Sequence, residues 1–160
     1  MDYWRPSTTV AAVVEREGRY LMVREETGDG LRLNQPAGHL DPGESLVQAV
    51  VREALEETAH HVEPVSFVGV YMSRYRAEAT GFDVTYVRFA FACRVVLHEP
   101  ARGLDKGIVE ALWLAPAEIR ARQAEHRSPL VIQTFEDAWS GRSYPLAAIY
   151  THPSCLYTRV

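Results

Sequence analysis

Two cysteines, Cys93 and Cys155, are all that the 160 residues contain, too few for a disulfide-stapled scaffold, and the first lies inside an apolar run. That usage suits a reducing compartment and a cytoplasmic protein. Long apolar runs are equally scarce. The longest, such as Val10 to Val14 and Phe89 to Cys93, have about five residues, far short of the roughly 20 that a membrane helix needs. The opening MDYWRPSTTV has an acidic second residue and lacks the apolar stretch of a signal peptide, so neither secretion nor membrane insertion is expected. Basic clusters are missing too. With 17 Lys and Arg against 21 Asp and Glu the formal charge is −4, and no Lys/Arg run breaks it, which argues against polymeric nucleic acid or a membrane surface as partner. A small molecule is the expected partner.

What is present is a core. Apolar residues make up 47% of the chain, with 3 Trp, 8 Tyr and 5 Phe among the aromatics, enough for one domain over residues 1–160 that folds without disulfides or metal. Residues 8–14 and 20–23 read as a hairpin broken by EREG. After the turn-rich 26–30 and a short extended piece comes NQPAGHLDPGE (34–44), whose two prolines and two glycines predict a loop without regular structure. A helix is predicted over about 45–60, with N-cap candidates in DPGES. Strands are predicted at 65–71, 84–97 and 108–114, with a polar loop at 72–83. Two helices then begin near Pro116 and Pro129, with Ser128 as an N-cap. The expected architecture is α/β (α+β), a mixed sheet with about three helices on its faces.

At about 100° per residue, the helix from Ser45 brings Glu53, Glu56 and Glu57 into one arc, with Arg52 beside Glu56. Val47, Val50, Val51 and Ala54 occupy the neighbouring arc, so the carboxylates border the buried stripe. Like charges at these spacings repel by about 0.2–0.5 kcal/mol per pair on an exposed helix, and more when partly buried. One guanidinium cannot neutralise three carboxylates, whereas a hard divalent cation can, and Mg2+, with Mn2+ as a substitute, leaves coordination positions for phosphate oxygens. Gly38 permits close backbone approach, and a carbonyl of Ala37 or Gly38 is a candidate extra ligand. An ordinary solvated acidic face is the competing explanation of EALEE taken alone.

Gly38, Glu44, Arg52, Glu53, Ala54, Glu56 and Glu57 stand at the spacing GX5EX7REUXEE, where U is apolar. This resembles the signature of the Nudix hydrolases, and the box runs over 38–60. The chain departs from it at Ala59, where Gly is usual, and at His60, where an apolar residue is usual. Ala in a left-handed cap costs about 1–2 kcal/mol, so the cap is predicted to move to His60 or His61.

The resemblance implies an α/β/α sandwich with a mixed sheet between helices and hydrolysis of a phosphoric anhydride. It implies Glu53, Glu56 and Glu57 as metal ligands, Arg52 as the group orienting them and Glu44 as an accessory ligand. The general base is implied to be either Glu53 or a glutamate on a later loop, for which Glu78, Glu99 and Glu110 are candidates. Of these Glu110 is preferred, with an ordinary exposed strand residue as the alternative. NQPAGHL (34–40), RSPL (127–130), YPL (144–146) and Arg88 resemble the NudJ-type phosphatases of that family. These act on nucleoside tri- and diphosphates and on the pyrophosphate of the hydroxymethylpyrimidine precursor of thiamine, releasing orthophosphate. A monomer is implied, with a homodimer as the alternative.

Arg74, Arg76 and Arg88 are candidate phosphate contacts, since a guanidinium offers a planar fork of donors, against surface or cross-strand ion pairs. Tyr71, Tyr75 and Phe82 are candidates to stack on a ring, against core or rim packing. Alternative functions are a pyrophosphohydrolase that releases pyrophosphate or cleaves a nucleotide sugar, and a non-catalytic Nudix-fold sensor.

Overall fold

Alternation of small and β-branched residues makes STTVAAVVER a strand, β1 (Ser7–Arg16), and Val10 through Val14 are buried on both of its faces. The computed structural model describes residues 3–157. A two-residue turn at Glu17 and Gly18, both at positive φ (52° and 75°), returns the chain as β2 (Arg19–Thr27). The two strands pair only at Glu15↔Tyr20 and Arg16↔Arg19 before they part. Past that point β2 pairs with β3 (Gly30–Asn34) and β7 (Ile108–Leu114). The far end of β1 instead takes β4 (Ala37–His39), in the register Thr9↔His39 to Ala11↔Ala37.

On its other edge β1 runs parallel to β6 (Phe82–His98), from Ser7↔Tyr86 to Val14↔Cys93, and β6 pairs antiparallel with β5 (His60–Ala77). The strand order β3-β2-β1-β6-β5 is therefore mixed, as expected. Odd and even residues of β1 serve opposite layers. Val10, Ala12 and Val14 pack with Ala49, Val50 and Ala54 of α1 (Leu46–Thr58). Ala11 packs with Leu130 of α3 (Pro129–Trp139), while Val131 and Phe135 of α3 and Ile119 of α2 (Pro116–Ala121) cover Met22, Leu33 and Leu114. Among the described residues no helix is long and apolar enough to cross a membrane.

Four expectations are corrected. The stretch 72–83 is not a polar loop: β5 and β6 extend through it to a tight turn at 78–81, held by Arg74 Nε donating to Asp83 Oδ1 at 2.7 Å and by the Tyr75–Phe82 ring pair. Its polarity reflects a ladder that projects into water. The 34–44 segment does contain regular structure, because Gly38 lets β4 lie against both β1 and α1. The second predicted helix is shorter, ending at Ala121 with a 3-10 turn at 123–125.

The helix cap, finally, does not move. Ser45 opens α1 with a capping box, its Oγ accepting from Gln48 N–H at 3.1 Å while Gln48 Oε1 accepts from Ser45 N–H at 2.8 Å. Ala59 closes it in the left-handed region (φ 57°, ψ 23°), donating its N–H to Leu55 O at 2.9 Å. The next residue, His60, is buried and stacked on His98 with ring centroids 4.0 Å apart, so β5 starts at once and pins the turn in place. Replacing Ala59 by Gly is expected to raise the free energy of unfolding by about 1 kcal/mol, since Gly bears the left-handed backbone without a Cβ penalty. Urea denaturation checks this, and a loss of stability would contradict it.

Candidate active site

Where β1 and β2 diverge, β4 lies alongside the acidic arc of α1. Ala37 N–H donates to Glu57 Oε2 at 2.9 Å. A Cβ on Gly38 would sit 2.2 Å from the carboxyl carbon of Glu53, so only glycine fits beneath that side chain. Glu53 and Glu57 are both buried. Burial pushes the Glu57 carboxyl up to about 9, with the charges of Glu53, Glu25 and Asp105 adding to the effect and the Ala37 N–H opposing it. Burial also raises Glu53, against the lowering effect of Arg52.

Arg52 organises the rest. Its Nε and Nη2 form a fork on Glu44, at 2.9 Å to Oε2 and 2.7 Å to Oε1. Its Nη1 donates to Glu53 Oε1 at 2.8 Å and to Glu56 Oε2 at 2.9 Å, and its Nη2 also reaches His39 O at 2.9 Å. Glu44 in turn accepts from Asp41 N–H at 2.7 Å. Hydrogen bonds to these carboxylates raise the Arg52 pKa further. Residues eight or more positions apart in sequence, Glu44 with Arg52 and Ala37 with Glu57, are thus joined directly.

Among the described residues no three His, Cys, Asp or Glu side chains converge as a metal cage. The reason is visible: Arg52 draws Glu53 and Glu56 to its own donors, while Glu57 is held by backbone. The donor set nevertheless fits a hard divalent cation. Glu53 and Glu57 are buried carboxylates raised first by burial and then by neighbouring carboxylates, Glu56 and Asp105 on Glu53 and Glu53, Glu25 and Asp105 on Glu57, and such groups are stabilised by added positive charge with oxygen preference.

Two groups here were not singled out from sequence. Asp105, in the turn between β6 and β7, donates its N–H to Glu56 O at 2.9 Å, and its charge bears on both Glu53 and Glu57. The polar pair Asn34 and Gln35 holds Arg88: Nη1 donates to Gln35 Oε1 at 2.8 Å and Nη2 to Asn34 Oδ1 at 3.0 Å. Gln35 is itself tied to Val131 O at 2.8 Å, and Asn34 Nδ2 to Glu25 Oε1 at 3.3 Å. Burial lowers the Arg88 pKa to about 10 against the opposing charges of Glu25, Tyr71 and Glu57. It is therefore a cation at neutral pH whose charge is felt at Glu57. The NQ dipeptide followed closely by Gly38 was the available signal.

The remaining candidates lie elsewhere. Tyr71 is opposite Arg88 in the ladder, but it is buried and its hydroxyl donates to Asp137 Oδ2 at 2.9 Å. Strand alternation puts Arg74 and Arg76 on the other face of β5 from Tyr71, and both engage Asp83. Glu110 accepts from Arg24 at 2.8 Å, Glu99 lies between His61 and Arg102, and Glu78 sits in the exposed β5–β6 turn. Tyr75 and Phe82 are exposed on that hairpin.

Known proteins resemble the chain over most of its length. A family model described as the NUDIX domain matches residues 4–135. The phosphatase NudJ of Escherichia coli strain K12 is 37% identical over 147 residues, covering 91% of this chain and 92% of that protein. A NUDIX hydrolase structure from Nitrosomonas europaea superimposes with a TM-score of 0.84 at 48% identity, covering 92% and 98% of the two chains. A MutT NUDIX hydrolase from Burkholderia pseudomallei shares the fold at 20% identity and a TM-score of 0.67, over 84% and 98%.

Two results are expected. Mg2+ should raise the melting temperature of the native chain, because a ligand that binds only the folded state stabilises it by mass action, and Glu57→Gln should remove most of that rise. Gly38→Ala, whose methyl group displaces the Glu53 carboxylate, should remove it as well. Thermal unfolding with and without Mg2+ reads both.

Proposed function

From the premise that this chain belongs to the Nudix family and is a Nudix hydrolase, we propose that it is a Mg2+-dependent phosphatase acting on nucleoside tri- and diphosphates. Hydroxymethylpyrimidine pyrophosphate is a further proposed substrate, and orthophosphate is the product released. The observation that carries the reading is the buried pair Glu53 and Glu57, pressed against Gly38 and Ala37, with Arg52 bound to Glu53. A site that only bound an anionic metabolite would gain nothing from assembling repelling carboxylates. The similarity to phosphatase NudJ over nine-tenths of both chains supports the choice of phosphatase over the other chemistries of the family.

In this reading Glu53, Glu56 and Glu57 hold the cation, with Mn2+ as an alternative, and residues 1–160 act as a single domain. Bound there, the divalent ion supplies positive charge that polarises a phosphoryl oxygen and offsets transition-state charge. The protein does the rest. The Arg52 fork on Glu44 keeps the guanidinium beside Glu53 and Glu56, the carboxylates that would hold the ion. Ala37 N–H orients Glu57. Glu53 or Asp105 takes the proton of the attacking water; Asp105 is preferred to Glu110, engaged by Arg24, to Glu99, engaged by His61 and Arg102, and to Glu78, which sits in the exposed β5–β6 turn. Arg88 holds Asn34 and Gln35, and its charge opposes that of Glu57. The proposed setting is a cytoplasmic monomer.

Product analysis tests this. With Mg2+, a nucleoside triphosphate should yield orthophosphate with the diphosphate as an intermediate, and Glu53→Gln or Glu57→Gln should lower kcat at least about 100-fold. Pyrophosphate plus monophosphate would move the attack to the α–β linkage. No turnover of tri- or diphosphates, of nucleotide sugars or of the pyrimidine pyrophosphate would leave a sensor.

A further inference from the structure

The outer half of the β5–β6 hairpin carries exposed aromatic rings that the chemistry above does not use. The ladder pairs Tyr71 with Arg88, Ser73 with Tyr86, Tyr75 with Val84 and Ala77 with Phe82. Because side chains alternate, Tyr86, Tyr75 and Phe82 all lie on the same face of the ladder as Arg88, while Arg74 and Arg76 lie on the opposite face. Tyr75 is 42% and Phe82 51% exposed, and their ring centroids are 6.1 Å apart at 57°. The Tyr75 hydroxyl donates to Asp29 Oδ2 at 3.1 Å, joining the hairpin to the turn between β2 and β3. Asp29 is fixed in its turn, its N–H donating to Thr27 Oγ1 at 3.1 Å while that hydroxyl donates to Gly30 O at 2.7 Å.

These rings are continuous with the acidic site. Tyr86 lies 6.4 Å from the ring of His39, the neighbour of Gly38, and the charge of Arg127 bears on Tyr75. Arg127 lies 3.6 Å from Glu25, a residue whose charge bears on both Arg88 and Glu57. Val84, opposite Tyr75, is four residues from Arg88 along β6, a rise of about 13 Å. A phosphate chain and a pentose span such a distance.

We infer that Tyr75 and Phe82 form the wall on which the planar heteroaromatic ring of a phosphorylated substrate stacks, with Asp29 as the positioning residue that holds the Tyr75 ring in place. The occupant is ring-bearing phosphate ester or anhydride rather than inorganic polyphosphate. This rests on the phosphohydrolase reading for the direction of the phosphate chain. Arg74 and Arg76 face away and engage Asp83.

The test compares a ligand with a ring to one without. Calorimetric titration in Mg2+ with a non-hydrolysable nucleoside triphosphate analogue and with inorganic tripolyphosphate should show the native chain preferring the nucleotide. Tyr75→Ala and Phe82→Ala should each reduce that preference about tenfold, in line with the loss of one stacked base. Phe82→Leu keeps apolar bulk without the π face and should behave like Phe82→Ala. Tyr75→Phe and Asp29→Ala should share a smaller loss, seen in turnover as a raised KM with kcat retained. Equal weakening toward both ligands, or no change in preference, would overturn the inference. If the native chain hydrolyses neither tri- nor diphosphates, the phosphatase reading fails on its own, and the two titrations still decide whether the hairpin recognises a ring.

Discussion

The structure turns on two carboxylates that have been taken out of water beside a backbone with room for nothing else. Glu53 lies directly over Gly38, and Glu57 takes the N–H of Ala37. Isolated buried carboxylates are costly, and a pair of them more so, because their charges repel in a poorly screened setting. Arg52 answers part of that cost through Glu44, Glu53 and Glu56, and Arg88 answers part from the opposite side through its field on Glu57. A proton on Glu57 meets the remainder until a divalent cation takes its place. In the phosphatase reading, that imbalance is what Mg2+ and, through it, phosphate oxygens would answer.

Much of the fold serves to bring β4 under α1. Had β1 and β2 stayed paired beyond Glu15 and Tyr20, the place that β4 occupies on β1 would be filled. Their divergence opens the wedge, β6 covers the other edge of β1, and the capping box at Ser45 sets where α1 begins. From that start Glu53 and Glu57, four residues apart, point at the same short strand. The exit of α1 is held as firmly, with Ala59 kept in a left-handed turn by the burial of His60 against His98. Tertiary packing there outweighs a local preference of about 1–2 kcal/mol.

The box was legible because a 3.6-residue period and a fixed spacing specify both the arc and its partners. Gly38, Glu44 and Arg52 were placed in one motif from sequence; the structure sets Gly38 beneath Glu53 and Glu44 on the Arg52 fork, a contact the motif spacing did not specify. The hairpin at 72–83 was not legible, because Tyr75 and Phe82 on one face and Arg74, Arg76 and Asp83 on the other are all exposed, so the stretch reads as polar and turn-like although its residues alternate as in a strand. Nor was Asp105, one aspartate in a polar turn until the fold sets its backbone on Glu56. Arg88 was singled out, but its partners Asn34 and Gln35 lie more than 50 residues away, and no local pattern ties them. Local periodicity reports helices and their faces; contacts between distant loops need the register of the sheet.

The central claim is that Glu57 carries a proton at neutral pH until a divalent cation takes its place, since burial and neighbouring carboxylates push its pKa up to about 9. Metal binding and proton release are then one event. Calorimetric titration of Mg2+ into the protein at pH 7, in buffers of differing ionisation enthalpy, measures the protons released per ion bound. The account predicts release of about one proton, abolished by Glu57→Gln. Binding with an enthalpy independent of the buffer would contradict it.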